Sequence, residues 1–423
     1  MKLQACGLSD VGKKREHNED AFLVDPEVRL FAVADGMGGH AAGEVAAQTA
    51  IEVVKQELIA QSDFVNAYSS EGPGEQREKL LKIIEDAIQK ACTAIFKKAQ
   101  EDNKCHNMGT TLSLLLIADK GAFIAHVGDS RVYLVRESQV HQLTVDHTLV
   151  KEQIRRGVLS KSDAKKVNYT NVITRAVGIQ EVVRVDTLHM DVLPSDRFII
   201  CSDGLHGYLR SEDILQVVQG TPSEKVPAYF IDMANSRGGK DNISVVFVDI
   251  ASDEMESAKE LRLRMEVLRN TPLFRHLNYR EIVHLMNLTY IRSVKEGEII
   301  IEEGDAGDEL FLLVQGSVKV RKGKQDIATL TQGSHFGEMA LIDDSPRSAT
   351  IVSGETSRLL VVGRLQFYDF IRRDPPAGIK LLWAFLQILS SRLRSTDEKL
   401  RELQEGLSFV DIKPQWIMTD NDD

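Results

Sequence analysis

Three acidic residues stand beside predicted strand ends that are far apart in the chain. Asp35 lies in ADGMGGH, Asp203 in SDGLHG and Asp241 in GKDN. Asp35 and Asp203 follow apolar runs whereas Asp241 precedes one, so in an antiparallel sheet all three would lie at the same edge. Asp129, at the close of AFIAHVGDS, is a fourth acid at a strand end. The pattern predicts a cluster of carboxylates.

Such a cluster has the chemistry of a metal site. Ionised carboxylates at one edge repel each other unless a cation neutralises them, and hard oxygen ligands favour Mg²⁺ or Mn²⁺. Two such ions about 3.5–4 Å apart can lower the pKa of a bridging water and aim it at phosphorus. Gly36 has no Cβ, which lets its backbone carbonyl approach a metal ion. Any one Asp-Gly pair alone is better explained as an ordinary turn.

A second cluster, FGEMALIDDSPRSAT, has the residue types of a phosphate-binding loop. Gly337 opens a predicted helical turn whose amides and dipole attract an anion, and the guanidinium of Arg347 suits phosphate oxygens. Glu338 is suited to accept a hydrogen bond from a ribose hydroxyl, and Ser348 adds a hydroxyl beside the phosphate or base. The alternative is a polar hairpin loop in which DDSPR only forms a turn.

The composition indicates a globular protein of two or more domains. The chain has 423 residues, 43% hydrophobic and 27% charged, which is too long for one ordinary core. Its net charge of −11 argues against broad nucleic-acid binding. There is no CxxC pair, no apolar stretch that could serve as a signal peptide, and no segment approaching the roughly 20 apolar residues of a membrane span. We expect a cytoplasmic protein without nucleic-acid or membrane partners.

Residues 1–250 are predicted to form an antiparallel α+β domain. Apolar runs bounded by Gly or Asp predict strands at 30–34, 111–118, 122–127, 132–135, 197–202 and 243–250. Apolar residues at helical spacing predict helices at 40–60, 75–100, 211–219 and 223–236. Short hairpin-like links favour antiparallel layers over a parallel doubly wound sheet.

The chain changes character after residue 250. Residues 251–270 predict an amphipathic connecting helix with one apolar face, formed by Met255, Ala258, Leu261, Met265 and Leu268. Short strands and Gly-rich turns then predict a small β-barrel or jelly roll with flanking helices within a domain at 271–405. The tail, 406–423, is expected to fray over its last residues, 410–423.

A last predicted helix, 376–405, has a near-heptad apolar pattern. The seam residues are Leu386, Leu389, Leu393, Thr396, Leu400 and Leu403. Fewer than three full heptads is short for a coiled coil. A helix packed on its own barrel and the seam of a homodimer are therefore equally open.

Taken in order, the motifs of the first domain resemble the bacterial branch of the metal-dependent protein phosphatases, the type 2C or PPM family. They are REHNEDAF, ADGMGGH, MGTTL, VGDSRVY, NVITRAVG, SDGLHGYL and GGKDNISVV. The resemblance implies a β-sandwich flanked by helices, with a site that hydrolyses phosphoserine and phosphothreonine by metal-activated water. Residues 144–178 fit the mobile flap of that family, which shapes substrate access.

The resemblance also implies metal ligands. Asp35 would bridge two Mn²⁺ or Mg²⁺ ions, and Gly36 would offer its carbonyl to the second. Asp203 and Asp241 would hold the first ion, and Glu19 would reach the second largely through water.

Further roles follow from the same resemblance. Asp129 with Asp203 would hold a third, weaker ion, and Arg15 would bind the substrate phosphate. Met37 stands where many eukaryotic members have a histidine after the Asp-Gly pair. His40 is then a candidate general acid, with a cap or core residue as the alternative, and a metal-bound water could serve instead.

The second cluster resembles the phosphate-binding cassette of cyclic-nucleotide-binding domains, over about 270–405. This resemblance implies that cAMP or cGMP binds through Gly337, Glu338, Ala340, Arg347 and Ser348. A hydroxyl at Ser348 occurs in cGMP-selective members and in bacterial cAMP-binding regulators, so selectivity stays open with cAMP slightly ahead. The final helix is a candidate cap over the base, through Ser390, Ser391 or Arg392.

Together these features predict a metal-dependent serine/threonine phosphatase regulated by a cyclic nucleotide. Its substrates would be phosphoproteins, with the products of a serine/threonine kinase as candidates. One alternative is a non-catalytic nucleotide sensor with an inactive phosphatase domain. Another is a phosphatase whose C-terminal barrel serves only for dimerisation.

Overall fold

The computed structural model describes residues 2–38, 42–70, 72, 74–160, 162–165, 167, 169, 172–251 and 256–408. The chain forms two compact units. The first comprises Met1–Met265 with Asn278–Thr289, and the second Glu266–Leu277 with Tyr290–Asp423. The chain thus passes from one unit to the other three times. The predicted domain boundaries, 250, 270 and 405, stay predictions. In the described part, no helix has both the length and the apolar character needed to cross a membrane.

The first unit contains eleven strands in its described residues. They are β1 (Leu3–Asp10), β2 (Asp20–Asp25), β3 (Leu30–Met37), β4 (Gly109–Thr110), β5 (Leu112–Ala118), β6 (Gly121–Val127), β7 (Arg131–Arg136), β8 (Gln139–Gln142), β9 (Asp186–Asp191), β10 (Arg197–Cys201) and β11 (Ile243–Ile250). One antiparallel sheet has the order β1-β11-β10-β7-β8, and the other has the order β2-β3-β5-β6-β9 with β4 paired to β3.

Helices cover the two sheets on their outer faces. They are α1 (Ala42–Ala60), α2 (Ser62–Ala67), α3 (Gly74–Glu101), α4 (Leu149–Arg155), α5 (Asp203–His206), α6 (Ser211–Gly220) and α7 (Val226–Ser236). Two further helices follow, α8 (Glu256–Asn270) and α9 (Tyr279–Met286). α1 and α3 share a core with β3, β5 and β6, while α5, α6 and α7 share a second core with β7, β10 and β11.

The sheets also pack against each other, since β10 and β11 contact β3 and β5. Central strands therefore have both faces covered and read as continuous apolar runs. β5, LSLLLIA, is buried along its whole length. The predicted fold class, an antiparallel β-sandwich flanked by helices, is confirmed. Strands β2 and β9 were not predicted from the sequence, because polar and apolar residues alternate only weakly along them.

The second unit is built on two open four-stranded antiparallel sheets. Its strands are β12 (Thr289–Val294), β13 (Ile299–Ile301), β14 (Glu309–Gln315), β15 (Ser317–Lys322), β16 (Gln325–Thr331), β17 (His335–Phe336), β18 (Thr350–Ser353) and β19 (Ser357–Gly363). The sheet orders are β12-β19-β14-β17 and β13-β18-β15-β16. Residues of both sheets share one core, which is the layered arrangement of a jelly roll. The predicted strand-rich architecture is confirmed.

Helices α10 (Arg364–Arg373) and α11 (Pro375–Ser408) end the described chain. α11 buries Ala377, Leu381 and Phe385. Its predicted seam faces outward, with Leu386 60% and Leu393 63% exposed.

The predicted connecting helix appears as α8. Four of the five residues predicted for its apolar face are buried: Ala258, Leu261, Met265 and Leu268. Met255 and the tail 410–423 lie outside the described residues.

Candidate functional site

The sheet edges bring the predicted acids together. β2 pairs with β3 so that Asp20 lies opposite Asp35. Asp203 follows β10 and begins α5, and Asp241 stands two residues before β11, the neighbour of β10. Asp129 lies in the turn between β6 and β7. The antiparallel pairing thus places these acids at one end of the sandwich, as predicted. We call them the acid cluster.

The acids of the cluster raise each other's pKa values. The pKa of Asp35 is raised well above its ordinary value, first by burial and then by the charges of Asp20, Asp203, Asp129 and Asp241. Burial and the charge of Asp203 raise the pKa of Asp129 to about 7. Each carboxylate makes ionisation of its neighbours costlier, which is the condition that a cation relieves.

Asp20 belongs to this cluster although the sequence analysis did not select it. Its Oδ2 accepts a hydrogen bond from the Ser202 hydroxyl at 2.8 Å. Burial raises its pKa to about 7. Its Oδ1 is buried without a hydrogen-bond partner among the described residues. The available signal was its place in REHNEDAF, next to Glu19.

Glu19 is held beside the cluster by its backbone. Its amide donates to Asn242 Oδ1 at 2.9 Å, and its carbonyl accepts from the Gly36 amide at 3.2 Å. Burial raises the pKa of its carboxyl group, against the nearby charge of Arg15. Its Oε1 is a second buried carboxylate oxygen that lacks a hydrogen-bond partner within the described residues.

Asn242 explains how this loop is fixed. Its Nδ2 donates to the carbonyl of Val11 at 3.0 Å and to that of His17 at 2.9 Å. One buried amide side chain therefore ties the loop before β2 to the start of β11. Sequence reasoning missed Asn242, although it follows Asp241 directly.

Gly36 is required by close approach of the backbone. A Cβ at this position would lie 2.1 Å from the Gly43 carbonyl oxygen and 2.5 Å from the Glu19 carbonyl oxygen. The start of α1 and the loop before β2 thus pack directly on β3. The predicted metal contact of the Gly36 carbonyl stays a prediction.

Arg15 lies at the rim of the cluster. Its Nη2 donates to Asp241 Oδ2 at 2.8 Å, and its side chain is 49% exposed. A guanidinium at this point can reach both the cluster and an incoming phosphate. His40, the candidate general acid, lies outside the described residues.

The donor chemistry fits hard divalent cations. The cluster offers carboxylate oxygens, the ligands that Mg²⁺ and Mn²⁺ prefer. Among the described residues, Asp20 Oδ1 in the cluster and Glu19 Oε1 beside it are buried without hydrogen-bond partners. Across the described ranges, no three acidic, histidine or cysteine side chains form a ready ligand set. Asp241 is instead engaged by Arg15. The residues therefore fit the ions, with side-chain adjustment.

The predicted phosphate cassette surrounds a short helical turn in the second unit. Gly337 has φ +78°, and a 3₁₀ helix follows over Glu338–Leu341. Arg347 donates to the Gly337 carbonyl at 3.2 Å and to the Glu309 carbonyl at 3.1 Å. Burial lowers the pKa of its guanidinium. The cassette thus holds a half-buried cation whose hydrogen bonds go to backbone carbonyls.

Glu338 is the buried acid of the cassette. It is 4% exposed and accepts a hydrogen bond from Arg392 of α11. Ala340 is also buried, and its carbonyl accepts from Arg364 at 2.6 Å. The Ser348 carbonyl accepts from a lysine ammonium at 2.7 Å. Of the residues proposed as caps, Arg392 is the one placed on the cassette.

Comparison with known proteins matches a family model to each part of the chain. Residues 11–244, more than half of the chain, match the family model of protein phosphatase 2C, and residues 291–374 match that of the cyclic nucleotide-binding domain. The fold and these matches define a protein serine/threonine phosphatase. The chain belongs to the protein phosphatase 2C family.

Similar proteins come from several bacteria. The serine/threonine phosphatase stp of Listeria monocytogenes is 35% identical over 57% of this chain and 93% of that protein. Protein phosphatase PhpP of Streptococcus pneumoniae is 32% identical over 59% of this chain and 98% of that protein. These similarities cover the first domain.

Solved structures are similar over the same region. The serine/threonine phosphatase PstP/Ppp of Mycobacterium tuberculosis is 32% identical with a TM-score of 0.52, over 59% of this chain and 99% of that one. The catalytic domain of PstP in complex with two manganese ions is 32% identical with a TM-score of 0.50, over the same shares.

Proposed function

We propose that this phosphatase depends on Mn²⁺ or Mg²⁺ held by the acid cluster and is regulated by cAMP or cGMP bound to its C-terminal cassette. The buried, mutually repelling carboxylates carry the first half of this proposal. The half-buried Arg347 carries the second half. Its substrates would be phosphoproteins, the products of serine/threonine kinases.

In the proposed catalytic site, Asp35, Asp203 and Asp241 hold the ions, with Glu19 and Asp129 nearby. The ions would supply positive charge that activates water and stabilises phosphoryl oxygens. The catalytic domain of PstP, solved with two manganese ions, supports this assignment.

Within that site, Arg15 would orient the substrate phosphate through bidentate hydrogen bonds. Its present partner, Asp241, keeps the guanidinium at the rim of the cluster. Asp20 would hold Ser202, and hence the start of α5 at Asp203, in place.

Metal binding and turnover test the catalytic half separately. Calorimetry with MnCl₂ should show uptake by the wild type and weaker or lost uptake by Asp203→Asn. Hydrolysis of a phosphothreonine peptide should also be slower in Asp203→Asn than in wild type. The matched control is Asp232→Asn, an exposed acid on α7. Equal manganese uptake and turnover in wild type and Asp203→Asn would refute the assignment.

In the proposed cassette, the Arg347 guanidinium exchanges its carbonyl contacts for phosphate oxygens, and Glu338 accepts from the ribose hydroxyl. A cation hydrogen-bonded to backbone carbonyls leaves charge for an anionic ligand to neutralise. A Cβ at Gly307 would lie 2.2 Å from Arg347 Nε, so the surrounding loop is shaped around this side chain.

Titration with cAMP and with cGMP, beside the phosphatase assay, tests the regulatory half. We expect saturable binding of at least one nucleotide and a change in turnover at saturation. Binding without any change in turnover would leave a cassette that does not regulate. Absence of binding by both would favour a barrel used only for dimerisation.

The outward seam of α11 supports a homodimer through this helix. Leu386, Leu393 and Leu400 recur every seven residues and are each more than half exposed, which is the pattern of a coiled-coil seam. Sedimentation of wild type beside a Leu386→Asn and Leu393→Asn double variant tests the dimer. Identical sedimentation of the two proteins would refute it.

A further inference from the structure

A short segment of the first unit is bracketed by the second unit in the sequence. Residues 278–289 pack with the first unit, whereas Glu266–Leu277 before them and the chain from Tyr290 onward belong to the second. The segment contains α9, whose start is fixed by reciprocal caps. Asn278 Oδ1 accepts from the Glu281 amide at 2.9 Å, and Glu281 Oε2 accepts from the Asn278 amide at 2.7 Å.

Specific polar contacts hold the segment on the first unit. Arg136 Nη1 donates to the Tyr279 hydroxyl at 2.7 Å, and the Tyr279 ring stacks on His141 with centroids 3.8 Å apart. At the other end, Asn287 Nδ2 donates to the His189 carbonyl at 2.7 Å. The segment is therefore anchored near both ends rather than resting loosely on the surface.

One acid contacts residues near both ends of the predicted flap, residues 144–178. We call these two ends the stems of the flap. Asp186 Oδ2 is 3.2 Å from His147 Nε2 on the first stem, and Asp186 Oδ1 accepts from Arg175 on the second stem at 2.8 Å. We call these three residues the flap clasp. His147 Nδ1 accepts from the Gly128 amide at 3.1 Å, and His147 Nε2 lies 3.1 Å from Arg175 Nη1 as well as beside Asp186.

The flap clasp is continuous with the acid cluster. The His147 amide donates to the Gly128 carbonyl at 2.7 Å, and Gly128 immediately precedes Asp129. The stems are also tied by the backbone, since the Thr174 amide donates to the His147 carbonyl at 2.7 Å. A shift of Asp186 would therefore move both the flap and the turn that carries Asp129.

Arg280 of α9 adds a second guanidinium at the clasp, beside that of Arg175. Its Nη2 lies 4.0 Å from Asp186 Oδ2, and its side chain is only 15% exposed. Burial alone would raise the pKa of Asp186, but the hydrogen bond from His147 and the charges of Arg175 and Arg280 hold it well below its ordinary value. The clasp carboxylate is thus held ionised between partners from three segments.

We propose that Arg280 is a positioning residue for phosphoprotein hydrolysis, acting through Asp186 to fix both stems of the flap. The proposal rests on the flap role and the acid-cluster assignment given above. The chain just before residue 278 and after residue 289 belongs to the second unit.

Two substrates separate positioning of the flap from damage to the cluster. A phosphothreonine peptide needs the flap to fix its chain, whereas p-nitrophenyl phosphate needs only the metal-dependent chemistry. We expect Arg280→Gln to lower kcat/KM for the peptide about tenfold, the lower range for residues that orient a ligand through another group. Hydrolysis of p-nitrophenyl phosphate should stay within about twofold, and Arg280→Lys should recover much of the peptide activity.

Arg262→Gln is the matched control, since it removes an arginine of the first unit that pairs with Glu137 rather than with the clasp. This control should leave the hydrolysis of both substrates unchanged. Equal peptide kinetics in wild type and Arg280→Gln would overturn the proposal. So would equal losses on both substrates in Arg280→Gln and Arg280→Lys, which would indicate general damage. Failure of this proposal can be told apart from a wrong metal assignment. A wrong metal assignment would leave Asp203→Asn with the manganese uptake and the turnover of wild type. Failure of the Arg280 proposal alone would leave the loss in Asp203→Asn unchanged.

Discussion

The acid cluster and the phosphate cassette both bury charge, but they compensate it differently. In the acid cluster, like charges raise each other's pKa, and Arg15 is a cationic partner at the rim. In the cassette, one cation, Arg347, is hydrogen-bonded by neutral carbonyls, while the acid Glu338 is paired by Arg392 from a distant helix. The first site has more negative charge than its one cationic partner neutralises, and the second has a cation available.

The difference in buried charge indicates which kind of ligand suits each site. A surplus of buried negative charge is relieved by cations, which is why the cluster suits metal ions. A half-buried guanidinium whose hydrogen bonds go to carbonyls rather than to a carboxylate suits a phosphate. The cassette also has an internal competitor, because Arg392 occupies the acid that a ribose hydroxyl would use. The function proposed above therefore assigns ion binding to the cluster and switching to the cassette.

The largest effect is expected in the cluster, at Asp35. Asp35→Asn removes the carboxylate whose pKa is raised by all its neighbours, so we expect turnover of a phosphopeptide to fall at least about 10³-fold. The metal-free variant should melt higher than wild type, since one source of repulsion is gone. Thermal melts with chelator and assays with manganese measure both. A metal-free variant that melts lower would show that Asp35 is not repelled by its neighbours.

A smaller effect is expected in the cassette, at Arg347. Arg347→Gln should weaken binding of the cyclic nucleotide about 10²-fold, because a charge-assisted bidentate contact is lost. Stability should change little, since the wild-type cation bonds only to backbone carbonyls. Calorimetry measures the affinity. Arg321→Gln, an exposed residue of the same unit that pairs with Asp326, is the control. Equal affinity in both variants would remove Arg347 from the site.

The two regions also differ in how far the sequence predicts them. The convergence of Asp35, Asp203 and Asp241 was predictable because antiparallel strands share an edge, and Asp-Gly turns mark their ends. Asp20 was missed because its importance depends on register, which sets it opposite Asp35. A one-residue shift of register would turn its side chain to the other face.

Long-range packing was not predictable at this level. Nothing in the periodicity of residues 271–290 shows that α9 packs with the first unit. The helix α11 was predicted from its heptad pattern, but the contact of Arg392 with Glu338 depends on where that helix lies. Contacts of this kind are set by tertiary packing, which local patterns do not encode.

The pH dependence of the protein's stability tests the charge repulsion in the acid cluster, at Asp129. Burial and the charge of Asp203 raise the pKa of its carboxyl group from an ordinary value of 3.8 to about 7 in the folded protein. The stabilising contribution of this group is therefore full below about pH 4 and lost as pH rises through 7. With chelator present, the melting temperature of wild type should fall by about 5 °C more than that of Asp129→Asn between pH 5 and 8.

Asp232→Asn, an exposed acid, should behave as wild type in that experiment. Manganese should remove most of the difference, since the ion replaces the proton as the neutralising charge. A fall of equal size in wild type and Asp129→Asn would place the relevant titration elsewhere.

The smallest effect is expected at Arg392, and it tests whether the cassette contains an internal competitor. Arg392→Gln releases Glu338 from its ion pair, so the ribose hydroxyl no longer competes with a guanidinium for this acceptor. Arg392 is 54% exposed on its side chain, so the pair contributes little, and we expect binding to tighten only about threefold. Arg394→Gln, on the same helix but bonded to Ser390, is the control. Weaker binding in Arg392→Gln would mean that this arginine contacts the nucleotide itself. In that event α11 acts as a lid over the ligand rather than as its competitor.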